Sequence, residues 1–295
     1  MYQSSRVINL TVVVLLAMII FTAPLAGQSL WLRHDHKPAF SLEFYKIEYE
    51  YYHFNNYDTE LLNMNVYLSA YIPASSDVGV VFEIPFTNFS LSENSYIWDS
   101  RVYKQSSVGN PYVGIEYENP KSNFIGTLGI RFPLSNDNKP EALSQGMTID
   151  PDRIEAFAVK RFNIYASAIY NYRSPKGFTV RTGLGPMVSI PTETKETWFG
   201  SGPDTELYLR YFSQLWMEAG DLTMAAGLTG LMWLTSDDSN IGEMTFHHIN
   251  LAGFYQIGIF RPGLFFIAPL DNDYTYIKDY TYGLSLTFEF EKSFR

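Results

Sequence analysis

The chain has 295 residues, a formal charge of -10, no cysteine, and 22 residues each of tyrosine and phenylalanine. Without cysteine there is no disulfide and no thiolate metal site. An acidic chain also lacks the basic face that a phosphate backbone needs, so no nucleic-acid partner is expected. Aromatic residues reach 17%, which suits a barrel carrying aromatic girdles at two membrane interfaces.

Met1 to Arg6 is a short basic segment, Val7 to Phe21 is almost wholly apolar, and the small residues Ala23, Ala26 and Gly27 follow. This predicts a secretory signal peptide over 1–27, a flexible lead-in over 28–38 and one domain over 39–295. The lead-in contains Arg33-His-Asp-His-Lys37. There His34 and His36 either hold a metal weakly or belong to a polar tether; the tether is favoured, and no metal site or cofactor is expected.

From residue 39 onward apolar and polar residues alternate in runs of about ten. Leu62, Met64, Val66, Leu68, Ala70 and Ile72 share one parity; Asn63, Asn65, Tyr67, Ser69 and Tyr71 share the other. A strand turns successive side chains to opposite faces, so each run has one oily face and one wet face. Twelve strands are predicted, over 39–52, 60–72, 77–86, 111–118, 124–132, 160–172, 178–190, 205–216, 222–235, 244–257, 263–270 and 280–291. In the first, the apolar parity switches after Phe44 to Ile47, Tyr49 and Tyr51, which predicts a β-bulge near Tyr45 or Lys46. The uncharged stretch 222–234 also admits a buried helix.

Short turns around Pro73–Asp77, Asn119–Ser122, Arg173–Gly177, Met217–Asp221 and Gly258–Pro262 carry the Pro, Gly, Asn or Asp that tight turns require. They alternate with longer segments at 53–59, 87–110, 133–159, 191–204, 236–243 and 271–279. The pattern predicts an all-β, transmembrane, antiparallel up-and-down barrel of about 12 strands (10–14 considered), with short periplasmic turns and long extracellular loops. It is placed in the outer membrane of a Gram-negative-type cell. Prolines at Pro85, Pro133, Pro191 and Pro269 are expected to end strands at the rim. Asp150-Pro151 predicts a capped helix start that could fold into the barrel mouth.

The segments Val81-Phe-Glu-Ile-Pro-Phe86, Ser106-Ser-Val-Gly-Asn-Pro-Tyr-Val-Gly-Ile-Glu-Tyr117 and Ile130-Arg-Phe-Pro-Leu-Ser-Asn-Asp137 resemble an outer-membrane barrel family labelled MetA-pathway of phenol degradation, a transporter-like group. The resemblance covers roughly residues 78–192. It departs from the family's Gly-x-Gly-Asp-Pro pattern, with Ser107 or Val108 at the first glycine and Asn110 for aspartate. It implies passage of small solutes, hydrophobic ones included.

Taking the polar face as the enclosed face puts Arg131, Arg161, Arg181 and Arg210 inside from neighbouring strands. Glu48, Glu83 and Glu116 enter from strands one, three and four, and Glu289 and Glu291 from strand twelve. His248 shares their parity and His247 faces outward near the rim. A basic wall opposite an acidic wall would orient solutes and set ion preference. The alternative is that these charges pair and plug the lumen, since twelve strands fall between a filled eight-stranded and an open sixteen-stranded barrel. No serine shares a strand face near either histidine and there is no G-x-S-x-G elbow, so no catalytic residue and no enzyme is expected. The acidic residues Asp137, Glu141, Asp150, Asp152, Asp237, Asp238, Asp271 and Asp273 either bind divalent cations at lipid phosphates or only solvate the loops. The favoured function is a passive, narrow channel for small solutes, with lipids and lipopolysaccharide as surroundings. A structural or surface-binding barrel with a plugged lumen is the alternative, and a lipid-modifying enzyme is less favoured.

Overall fold

The computed structural model describes residues 37–47, 57–95, 101–119, 121–193, 204–236, 245–271 and 280–290. Among them, β1 (Ala39–Ile47), β2 (Tyr57–Pro73), β3 (Val78–Ser95), β4 (Arg101–Val108), β5 (Tyr112–Glu118), β6 (Phe124–Arg131), β7 (Arg161–Arg173), β8 (Phe178–Pro191), β9 (Glu206–Ala219), β10 (Leu222–Trp233), β11 (Thr245–Tyr255), β12 (Phe260–Pro269) and β13 (Thr281–Glu289) form one antiparallel sheet. β1 pairs with β2 on one edge and with β13 on the other, which closes it. β3 pairs with β4 along its outer half and with β5 along its inner half, so those two segments make one interrupted stave. The result is a closed barrel of twelve staves.

The burial pattern is inside out relative to a protein in water. Asn63, Asn65, Tyr67, Ser69 and Tyr71 are at most 2% exposed, whereas Leu62 and Ile72 on the same strand are 50% and 53% exposed. The same apolar outer belt continues through Phe82, Ile115, Leu184, Leu251 and Leu264. A closed ladder satisfies backbone groups internally, and an apolar exterior suits hydrocarbon; together they make this an outer-membrane β-barrel. No described helix is long and apolar enough to cross a membrane.

Several local expectations change. Residues 39–47 keep one unbroken register with both neighbours, so there is no bulge at Tyr45 or Lys46. Tyr45 and Ile47 are simply apolar residues on the enclosed face, buried against protein rather than lipid. Residues 48–52 of the expected strand lie outside the described residues. The stretch 222–233 is strand, not helix. The expected loop 87–110 is largely a hairpin extension of β3 with β4, and Pro85 therefore lies inside a strand rather than at its end. The carbonyl of Pro85 accepts the Gly109 N–H. The N–H that proline lacks would point the same way, toward the break between β4 and β5, so little of the ladder is lost.

The segment after β6 enters the barrel. It forms α1 (Pro140–Ile149), then a 3-10 turn over Pro151–Ala156. The expected start is present as the 3-10 turn: Asp150 caps it, its side chain accepting the Asp152 N–H, and Pro151 is its first residue. The α-helix before it, beginning at Pro140, is not among the expected elements. Leu143, Ile149, Ala156 and Phe157 pack on Tyr45, Ile47, Tyr67, Phe265 and Ile267 of the wall. Asn63 donates to Gln145, Asn65 to the Gly146 carbonyl, Thr87 to the Ala142 carbonyl and Thr281 to the Ile149 carbonyl. The interior is filled by the chain's own plug.

The turns at 73–78, 118–124, 173–178, 219–222 and 255–260 share one end of the barrel with residues 37–39 and 289. Single cysteines at Ser75, Lys121 or Pro175 should stay unlabelled by an impermeant maleimide on intact cells, while one at Asn138, at the opposite end, should label. The reverse pattern would invert the topology.

Candidate functional site

Glu83 of β3 sits between two arginines. One carboxylate oxygen accepts from Arg131 Nη2 of β6 at 2.8 Å, and the other accepts from Arg153 Nη1 of the 3-10 turn at 2.7 Å. Arg153 also donates from Nη2 to Glu43 at 2.9 Å and from Nε to Asp150 at 2.6 Å. Its guanidinium carbon lies 3.4 Å from the centre of the Tyr67 ring and 5.0 Å from that of Tyr45. All five charged groups are within 2% of full burial. Such charges are tolerable away from water only when paired and hydrogen-bonded, and the flat, forked guanidinium satisfies both needs at once.

Arg131 extends the network. It donates from Nε to Tyr165 at 3.1 Å and from Nη1 to the Asn110 carbonyl at 2.9 Å, and its Nε lies 3.7 Å from Glu155 of the plug. Arg210 of β9 approaches the same Glu155 carboxylate at 3.6 Å and donates to the Asp152 carbonyl. The plug is thus gripped from opposite sides, by β1 and β3 through Arg153 and by β6 and β9 through Glu155.

Asn110 holds the plug by its backbone. Its N–H donates to the Ala156 carbonyl at 2.6 Å, and its side-chain amide donates to the carbonyls of Glu155 and Ala158 at 3.2 and 2.6 Å. Its Oδ1 accepts the Ser135 N–H at 2.9 Å. Gly109 beside it leaves no room for a side chain, because a Cβ there would stand 2.3 Å from the Ala156 carbonyl oxygen. Here the Gly-Asn-Pro segment that breaks the fourth stave has a structural use: it docks the plug.

Of the residues singled out in the sequence, the structure joins Arg131 to Glu83 and brings Arg210 to the plug. Arg161 pairs instead with Glu206 at 2.9 Å and donates to Ser189 Oγ at 2.7 Å, on its own side of the wall. Arg181 is half-buried on β8, in register with Asn171 and Gln214. Glu116 is buried on β5 and His248 on β11. Glu289 meets Arg261 at 3.2 Å. His247 faces away from the lumen, with Tyr211 Oη 2.6 Å from its Nε2 and Asp271 Oδ1 3.1 Å from its Nδ1. Glu48, Glu291, His34, His36, Asp237, Asp238 and Asp273 lie outside the described residues. Sequence reasoning missed Arg153, Glu43 and Asn110. Glu43 carried a usable signal, since it shares parity with Ser41 on β1. Arg153 lies in the capped helical segment expected at the barrel mouth, a signal that marked the segment but not this side chain.

Burial and the neighbouring Asp150 push the Asp152 carboxyl up to about 6, against the pull of Arg210 and a Thr229 hydrogen bond. A carboxyl raised in the folded state costs stability as pH rises between its unfolded and folded values, and the cost is complete above the latter. Asp152→Asn should therefore raise the thermal unfolding midpoint most at pH 7.5, about half as much at pH 5, and little below about pH 4. Arg153→Ala should be far more damaging. It removes the arginine partner of Glu43 and Asp150 and leaves Glu83 with Arg131 alone, and breaking a buried pair of this kind costs about 3–5 kcal/mol. Heat-modifiable gel mobility across a urea series would measure both.

The fold matches solved outer-membrane barrels. The COG4313 outer membrane channel from Pseudomonas putida F1 superposes with a TM-score of 0.55 at 13% identity, over 88% of this chain and 99% of that one. The NanC porin does so with a TM-score of 0.50 at 9% identity, over 85% and 100%. No family model matches the sequence, and no curated protein does. What is shared at these identities is the closed outer-membrane barrel.

Proposed function

We propose that this protein is a narrow outer-membrane conduit for small solutes, and that residues 140–157 close it in the present conformation. The observation that carries this reading is the way the plug is held. Its anchors to the wall include ion pairs and hydrogen bonds of Arg153, Glu155 and Asn110, which water can replace when the segment shifts. A barrel stabilised only by filling would be served as well by an apolar core, since buried ion pairs are weak sources of stability compared with hydrophobic packing. The two superposing proteins, one called a channel and the other a porin, favour the same reading. The resemblance to the phenol-degradation barrel family extends it to hydrophobic solutes. An outward-facing cleft of about 310 Å³, lined by Met64, Val66, Phe86 and Val108 among others, offers such solutes an apolar resting place.

On this reading Arg131, Arg161, Arg181, Arg210, Glu48, Glu83, Glu116, Glu289 and His248 are the conduit-facing set. The second reading, a structural barrel with a permanent plug, is favoured by the density of the Glu83 network.

Planar-bilayer conductance separates the two. The parent should show small, discrete openings. Arg210→Ser, which removes one of the two arginines beside Glu155 and releases the Asp152 carbonyl, should raise open probability or conductance severalfold. Arg181→Ser should leave the plug in place and shift the reversal potential toward cations. Unit charges near a constriction interact by roughly 1–4 kcal/mol, and the shift should fade near 1 M salt, where the screening length is about 3 Å. A sealed bilayer with all three folded proteins would establish the structural barrel.

A further inference from the structure

The barrel wall alone builds most of the surroundings of the Arg153 guanidinium. Glu43 and Tyr45 come from β1, Tyr67 from β2 and Glu83 from β3. The two terminal nitrogens each donate to a different wall carboxylate, at 2.9 and 2.7 Å, and the plane lies over the Tyr67 ring. Only Nε is answered by the plug itself, through Asp150. The wall groups are also held in place by others. Glu83 keeps its second oxygen on Arg131, and Tyr45 donates to Glu43 at 3.1 Å. The Tyr45 and Tyr67 rings meet edge to face, 5.3 Å apart.

We propose that this part of the wall is a binding site for a guanidinium-bearing small solute, occupied in the present conformation by Arg153 as a tethered stand-in. The inference rests on the conduit reading, since the plug must shift for a free solute to enter. Two carboxylates set to receive two nitrogens of one plane, over an aromatic face, match a guanidinium and serve a compact ammonium less well. With Arg131 already answering one oxygen of Glu83, the wall presents charge enough for a single monovalent cation.

Arg153→Ala empties the site and leaves the wall untouched. Thermal unfolding of that variant in detergent, followed by heat-modifiable mobility, should rise by about 2–4 °C with 10 mM methylguanidine, as expected for a millimolar ligand of a domain this size. Methylammonium at equal ionic strength should give less than a third of the shift, and the parent should give none. The shift should vanish in Arg153→Ala combined with Glu43→Gln and Tyr67→Ala. No shift, an equal shift with both cations, or a shift that survives in the triple variant would overturn the site. Should Arg153→Ala fail to fold, a barrel with residues 139–157 replaced by a Gly-Ser linker carries the same titration. Methylguanidine binding with a sealed bilayer would overturn the conduit and leave the site. Conductance without methylguanidine binding would overturn the site alone.

Discussion

Hydrocarbon offers no hydrogen bonds, so every backbone N–H and C=O that crosses it must find a partner in the chain. Closure of β1 on β13 and of β2 on β3 meets that demand around the ring, and among the described residues an edge remains along β4, which pairs with β3 alone. The rest follows. Closure separates an outer face that must be apolar from an inner face that need not be, and strand parity then sends asparagine, serine, glutamate and arginine inward. A barrel of this girth has an interior too wide for wall side chains to fill and narrow enough for one short segment to occupy.

That segment has to answer the polar wall it meets. α1 brings Leu143 and Ile149 to the few apolar positions on the inner face, Ile47 and Ile267 among them. The 3-10 turn brings Arg153 to a place where two wall carboxylates would otherwise be buried together. Glu83 is the pivot, because its two oxygens tie the wall residue Arg131 to the plug residue Arg153. The break between β4 and β5 supplies the other fixed point, where Asn110 takes over hydrogen-bonding groups of the plug backbone that the strand ladder cannot reach. An arrangement of this kind is specific more than it is strong, since each ion gives up hydration to enter it.

The polar anchoring also bears on what the interior can do. A plug held by packing alone would have no graded response to ions or pH. On the conduit reading, one held by arginine and carboxylate pairs would couple its seating to solution conditions. The same chemistry that seats Arg153 defines what else could sit there.

Much of the architecture was legible in the chain itself. Period-two alternation over ten-residue runs gives the staves, as Leu62–Ile72 and 281–289 show, and Pro, Gly and Asn at the short connections give the turns. These are local signals, read from neighbours in sequence. The inward direction of Arg131, Arg161 and Glu83 followed from parity alone. Tertiary structure decided the rest. Residues 140–157 have no strand period; the Asp150-Pro151 cap marked a helical turn able to enter the mouth, but not the helix before it or the wall residues the segment meets. The bonds that place Arg153 span 70 and 110 residues. Closure brings Glu43 and Glu83 to one point in space, and parity can say that both face inward but not that they meet. The sequence by itself therefore determined the barrel and which face of each stave is wet. Only folding around a closed ring decided which of the inward charges pair, because that depends on stave order, register and the path of one inserted loop.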